Sequence, residues 1–204
     1  IYELKLERIS PKYWFEDEYN KLILSSSVIK LARFKNSHSY MKLGDCIRVE
    51  RGVQPYSRSK HSDEQIRNDF LRTNNLPVPS DPFMPELLGE ELARYSLLPK
   101  RQRWLEYSDK LASIRDIAFF TNQRVVLRRL LTRRRELQAA VTSETLITTD
   151  NILNILVTNT YSPYFIASLL NSKLLAWLYT NTSTISVKDD FPQVTYEELK
   201  SLPI

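Results

Sequence analysis

The sequence predicts an α+β fold: a mixed, largely antiparallel sheet with helices packed on it. Three observations carry this. The run Ser162-Pro163 opens a stretch with apolar residues at helical spacing, the clearest element in the chain. The runs Gln123–Leu131 and Ile152–Val157 are rich in β-branched and apolar residues and read as strands. The order is helix, loop, strands, helix, short helix, which reads as α+β with a largely antiparallel or mixed sheet.

The elements follow in chain order. Residues 1–20 hold many aromatic and charged side chains and read as a lead-in. Residues 21–35 carry Leu22, Leu24, Val28, Ile29, Leu31 and Phe34, an amphipathic helix that Asn36-Ser-His-Ser39 breaks. Leu43-Gly44-Asp45 begins a short element that runs to Tyr56. Residues 54–82 are polar, with Pro55, Pro77, Pro79 and Pro82. They read as a long surface excursion with one short helix near 63–71. Residues 104–107 are strand-like, and residues 109–116 read as a short helix. In Gln123–Leu131 the period of two puts Arg124 and Arg128 on one face, and Val125, Leu127 and Arg129 on the other. Residues 136–141 and 146–158 are further strands, with Ile152–Val157 in a sheet interior. A helix over 163–180 is capped by Ser162 and lined by Phe165, Ile166, Leu169, Leu170, Leu174, Trp177 and Leu178. Thr195-x-x-Glu198 is a capping box for a last short helix. The organisation expected is a lead-in and helix over 1–42 and one domain over 43–204.

Composition excludes several function classes. Three glycines (Gly44, Gly52, Gly89) lie too far apart for a phosphate-cradling loop. Two histidines, His38 and His61, with one cysteine cannot make a typical zinc site. No Gly-x-Ser-x-Gly elbow occurs. The single Cys46 rules out an internal disulfide and suits a reducing, cytoplasmic setting. It reads as a small buried hydrophobe. No apolar run reaches the roughly 18 residues of a membrane span, so no membrane partner is expected. The start at Ile1 and the abrupt apolar end at Ile204 read as a piece of a longer chain. A binding module fits better than a self-sufficient enzyme.

Charge is unevenly spread. The net charge is +5. Residues 100–135 alone hold 11 Lys/Arg against 3 Asp/Glu, while residues 136–204 hold 3 against 7. Nine of those eleven cations are arginine, whose planar fork suits phosphates and guanine edges. With Trp104 and Tyr107 nearby, the segment points to nucleic acid. A solvated basic face is the alternative.

Several short motifs now stand in order. Leu43-Gly-Asp45 precedes Val49-x-x-Gly52-Val53-Gln54. Pro85-Glu-Leu-Leu-Gly89 precedes Arg94-Tyr95, then Gln123-Arg-Val-Val-Leu-Arg128. Tyr161-Ser-Pro-Tyr-Phe-Ile-Ala-Ser-Leu-Leu-Asn-Ser-Lys-Leu-Leu175 and Phe191-Pro-Gln-Val-Thr-Tyr-Glu-Glu-Leu-Lys-Ser-Leu-Pro-Ile204 close the set. In order and spacing this resembles the TaqI-like specificity domain, from about Leu43 to the end. The resemblance implies a DNA target-recognition part of a bacterial type II restriction–modification N6-adenine methyltransferase, in some members fused to a nuclease. It implies double-stranded DNA as a partner, together with the methyltransferase domain of the same parent chain. That domain would carry S-adenosylmethionine, a Phe-x-Gly-x-Gly loop and an Asn-Pro-Pro-Tyr motif, which holds a flipped adenine. Neither motif occurs here, so no cofactor and no catalytic residue are expected in this chain.

The expected DNA contacts are Arg124, Arg128 and Arg129 from the basic strand, with Arg101 and Arg103 on phosphates. The loop after Gly52, with Gln54, Tyr56, Ser57, Arg58 and Lys60, is the expected base reader. A disordered surface excursion is the alternative for that loop. Trp177 reads as core, and Trp104 as either core or a stacking platform. His38 and His61 read as surface residues. Asn171 and Ser172 read as structural, bonding their helix to a neighbour. Two other functional classes stand beside this one. One is a protein-interaction or scaffold domain with a basic surface. The other is a small metal-dependent nuclease built on Asp190, Glu198 and Lys200, which would need those residues on a strand.

Overall fold

The computed structural model describes residues 40–74, 80–98, 103–183 and 192–204. The expected helix over 21–35, with His38, lies outside them, as do Arg101 and Asp190. The centre is an antiparallel four-stranded sheet in the order β1-β10-β7-β8. Its strands are β1 (Ile47–Arg51), β10 (Ile152–Val157), β7 (Arg124–Arg128) and β8 (Ala139–Thr142). Side chains alternate across it. Val125, Leu127, Leu153 and Ile155 face one layer, where they meet Ile166, Leu170, Leu178 and Tyr179. Those come from α3 (Pro163–Leu170) and α4 (Lys173–Thr182). Val126, Ile152 and Ala140 face the other layer and pack on Leu87 and Leu92. Both sheet faces are therefore covered.

A second sheet, ordered β2-β6-β3-β9, lies beside it. It contains β2 (Arg72–Thr73), β6 (Trp104–Glu106), β3 (Phe83–Leu87) and β9 (Ile147–Thr148). β3 and β9 run parallel and the other pairs antiparallel, so the mixed, largely antiparallel expectation holds. A hairpin of β4 (Leu92–Ala93) and β5 (Ser96–Leu97) completes the strands among the described residues. Short helices α1 (Asp63–Arg67), α2 (Ala118–Thr121) and α5 (Tyr196–Lys200) decorate the rim.

Several expected elements change. The stretch 163–180 is two helices, not one. Ser172 accepts a hydrogen bond from the Leu175 N–H and so starts α4 afresh. Asn171 turns its amide to β8. Phe165 and Leu174 are exposed, and Ala167 and Leu175 are buried instead. Residues 109–116 form no helix: a turn and bends lead to a bridge at Ser113, because Ser113 pairs with Gln54 and Lys60 ties down the carbonyls of Asp109 and Leu111. The helix comes later, at α2. Residues 54–73 are no loose excursion, since Val53 and Leu71 are buried in one core with Leu105 and Phe120. His61 is buried, not a surface residue. The last helix forms after Thr195, but without the expected box. The Glu198 carboxylate instead accepts hydroxyls of Tyr179, Ser183 and Thr195 at 3.0, 2.8 and 2.9 Å.

Candidate nucleic-acid interface

The register gathers the arginines. Arg51 pairs with Leu153, Ile152 with Arg128, and Leu127 with Ala139. The last residue of β1, the first of β10, the last of β7 and the first of β8 thus share one end of the central sheet. From that end leaves the β7–β8 turn with Arg129, Arg133, Arg134 and Arg135. From it also leaves the chain after β1, which passes Gly52 to Gln54 and meets Ser113 beside Arg115. Gly52 is required there, because a Cβ would lie 2.2 Å from the carbonyl oxygens of Thr148 and Thr149.

Arg124 sits at the opposite end and is fully buried. Its guanidinium donates to Asn154 Oδ1 and to the carbonyls of Asn122, Glu144 and Leu146 at 2.9–3.3 Å. Burial pushes its pKa down to about 10. The side chain expected on DNA is instead walled off from solvent, and its cation holds three chain segments together. Arg103 is also engaged inside, pairing with Asp69 and Glu86 at 3.0 and 2.9 Å. Arg72 makes the same two partners. Asp69 is held below the ordinary carboxylate range: burial alone would raise it, and the bond and charge of Arg72, with Arg103, outweigh that.

Arg128 is partly exposed and bonds Gln138 Oε1 at 3.3 Å. Arg129 is nearly covered, donating to the Asp150 carbonyl at 2.7 Å and Gln193 Oε1 at 2.8 Å. Its pKa is lowered by burial and then by the neighbouring charge of Arg51. Arg133 and Arg134 are open to solvent.

The loop after Gly52 is built rather than floppy. His61 accepts from the Ser57 N–H at 3.3 Å and meets the Lys110 carbonyl at 2.8 Å. Tyr56 accepts from the Leu71 N–H at 2.9 Å and packs against His61 and Phe70. Burial pushes the Tyr56 phenol up to about 12. Lys60 bonds two carbonyls, and the Ser57 hydroxyl pairs with that of Ser59. So Tyr56, Ser57 and Lys60 shape the loop. Gln54 and Arg58 face solvent, and the Arg58 side chain is 90% exposed. Arg58 lines an open cavity of about 330 Å³ with Asp63, Ile66 and Arg67. The sequence reading missed Arg67, since only the capped turn of α1 brings it beside Arg58. Trp104 is 6% exposed and is core, not a platform. Trp177 is partly buried against the main core.

The remaining chemistry is sparse. Among the described residues no group of three or more His, Cys, Asp or Glu could hold a metal. Glu198 and Lys200 lie on α5, not on the strand a nuclease motif needs. Among the described residues no helix is long and apolar enough to cross a membrane.

Comparison with known proteins agrees with the motif order. The chain is 30% identical over 129 residues to a Methanocaldococcus jannaschii protein described as a type II restriction enzyme and methyltransferase. That match covers 60% of this chain and 10% of the relative, so the chain spans about a tenth of its length. The relative is archaeal. A solved chain from a study of a type I restriction–modification system aligns over 81% of this chain and 33% of its own, at 13% identity and a TM-score of 0.47. A likeness at that level says nothing of ligands. The TaqI-like C-terminal specificity domain model matches residues 84–204. That is more than half of the chain, and it takes in the basic strand, α3, α4 and the closing helix, so the chain belongs to the TaqI-like C-terminal specificity domain family.

Proposed function

We propose that this chain, from Leu43 to Ile204, is the DNA target-recognition unit of a type II restriction–modification adenine-N6 methyltransferase. The observation that carries the reading is the sheet register, which collects Arg51, Arg128, Arg129, Arg133 and Arg134 at one end of a rigid, doubly covered sheet. Arginine forks on a fixed frame suit a phosphate backbone, and an exposed loop beside them suits base edges. The pinned loop with Gln54, Arg58 and Arg67 leaves the sheet from that same end. In this reading Arg128, Arg133 and Arg134 position the duplex, while Gln54 and Arg58 read it. S-adenosylmethionine and methyl transfer belong to a catalytic domain outside this chain, which the name of the M. jannaschii relative supports.

One observation favours a protein partner as well. Tyr161, Tyr164, Phe165 and Leu174 are exposed on and before α3 and α4. Tyr161 follows the far end of β10, away from Arg128, so a protein face and a DNA face would not compete. In this reading the methyltransferase domain of the same parent chain is the partner.

The test is a duplex titration of the chain at several salt concentrations. Weak binding with a steep salt slope, about −0.9 per phosphate contacted, is expected. No binding at low salt removes the DNA reading. With added S-adenosylmethionine the chain alone is expected to leave DNA unmethylated.

A further inference from the structure

Arg51 stands apart from the other arginines at the basic end. Its guanidinium carbon lies 5.1 Å from the centroid of the Tyr196 ring. Its Nε is buried without a hydrogen-bond partner. No carboxylate pairs with it among the described residues. Arg129 lies close by, and its Nε is also buried and unpartnered. The Arg129 pKa is lowered first by burial and then by the charge of Arg51.

The nearby acids are engaged elsewhere. Glu50 accepts the Tyr196 hydroxyl at 2.9 Å and the Arg51 N–H at 2.9 Å, and lies 3.4 Å from Arg115. Asp150 is half-exposed and lies 3.9 Å from Arg129. Tyr196 is held in place through its hydroxyl, which also accepts from the Arg51 N–H. The ring therefore sits held against the Arg51 guanidinium. An unneutralised guanidinium held over an aromatic ring beside a second guanidinium suits an anion.

We infer that Arg51 and Arg129, both beside Tyr196, form a clamp for one phosphate of a nucleic-acid backbone. The clamp itself follows from the charges. Only the source of its phosphate rests on the DNA reading above. A guanine edge is the rival ligand for one arginine fork, but the second charge and the lack of any acceptor-reading partner favour an anion.

Two arms test it with the full 204-residue chain. In the first, wild type and Arg51→Gln are titrated with several unrelated duplexes across a salt series. Arg51→Gln is expected to weaken all of them alike and to flatten the log–log salt slope by about 0.9. Arg51→Lys, which keeps the charge but not the fork, is expected to fall between the two. In the second arm, melting is followed with and without inorganic pyrophosphate. Pyrophosphate is expected to raise the melting temperature of wild type, and clearly less that of Arg51→Gln. An unchanged slope, or a loss confined to one duplex sequence, overturns the clamp. Pyrophosphate stabilisation lost in Arg51→Gln, with no duplex binding by wild type, keeps the clamp and removes the DNA reading instead.

Discussion

The Asn171 carboxamide grips both backbone polar groups of Ala139, accepting from its N–H at 3.0 Å and donating to its carbonyl at 2.8 Å. β8 is an edge strand, and Asn171 supplies what a fifth strand would have supplied. An edge left open invites pairing with other chains. Here a side chain at a helix break closes it.

Replacing Asn171 by Ala leaves a buried N–H without a partner, while the Ala139 carbonyl keeps the Tyr95 N–H. A loss of about 1–3 kcal/mol is expected, read as a lower urea midpoint with an unchanged slope. Asn171→Asp keeps the acceptor but sets an anion against the carbonyl, so it is expected to rescue nothing. A stability equal to wild type in both variants contradicts the edge-closing role.

Arg124 gives the sharpest contrast between sequence and structure. Arg124→Met is expected to lower stability by about 3 kcal/mol, since several buried acceptors lose their donor together. Below its melting temperature the variant is expected to keep the wild-type salt slope on DNA. A stable variant with a flattened slope means that Arg124 reaches the phosphates after all.

Acid sensitivity follows from Asp69. Its folded pKa lies below the ordinary value through Arg72 and Arg103. A carboxylate depressed in the fold contributes stability that is complete above its unfolded pKa, near 3.9, and is lost as pH falls through the folded pKa. Denaturation midpoints of wild type and Asp69→Asn, taken between pH 3 and 7, are expected to differ near neutrality. They are expected to converge as pH falls below about 4. A gap that stays constant or widens toward acid reverses this sign.

What the sequence shows and what it hides divide along a physical line. The strand Arg124–Arg128, the Ser162 cap with Pro163 and the structural role of Asn171 are local or near-local, and they are legible. So is the burial of Cys46, which is fully covered. The fate of each arginine is not local. Arg124 and Arg128 share a face by period, but only the tertiary fold decides that one is walled in by the segments 122 and 144–146 while the other is partly exposed. Residues 109–116 have helix-forming composition, yet Lys60 and Gln54, some fifty residues away, claim their backbone. Arg51 was invisible for the same reason: it lies in a charge-balanced stretch, and its value comes from Tyr196, which the sheet and α5 bring to it.

The pinned loop separates readers from positioners. Arg58 is exposed and pairs with Asp63 only at 3.8 Å, so its fork is available. Gln54 is exposed too, although its amide donates to the Tyr56 carbonyl at 3.2 Å and must let go to read a base. Arg133 and Arg134 sit on the turn and face solvent. A phosphate looks the same beneath every base, while a guanidinium in a groove meets different atoms at each pair. Within the parent enzyme, Arg58→Ala is therefore expected to cost roughly 1–3 kcal/mol on the cognate duplex and little on a scrambled one. Arg133→Ala and Arg134→Ala are expected to weaken both duplexes alike and to reduce the salt slope by about one unit each. Lys60→Ala and His61→Ala form the control pair. They remove the pins that set the loop, at Asp109, Leu111 and Lys110, so they are expected to lower cognate affinity through loop disorder and to speed proteolysis within 54–67. Equal losses on both duplexes for Arg58→Ala, with the loop still protected, make that loop a positioner and move base reading elsewhere on the domain.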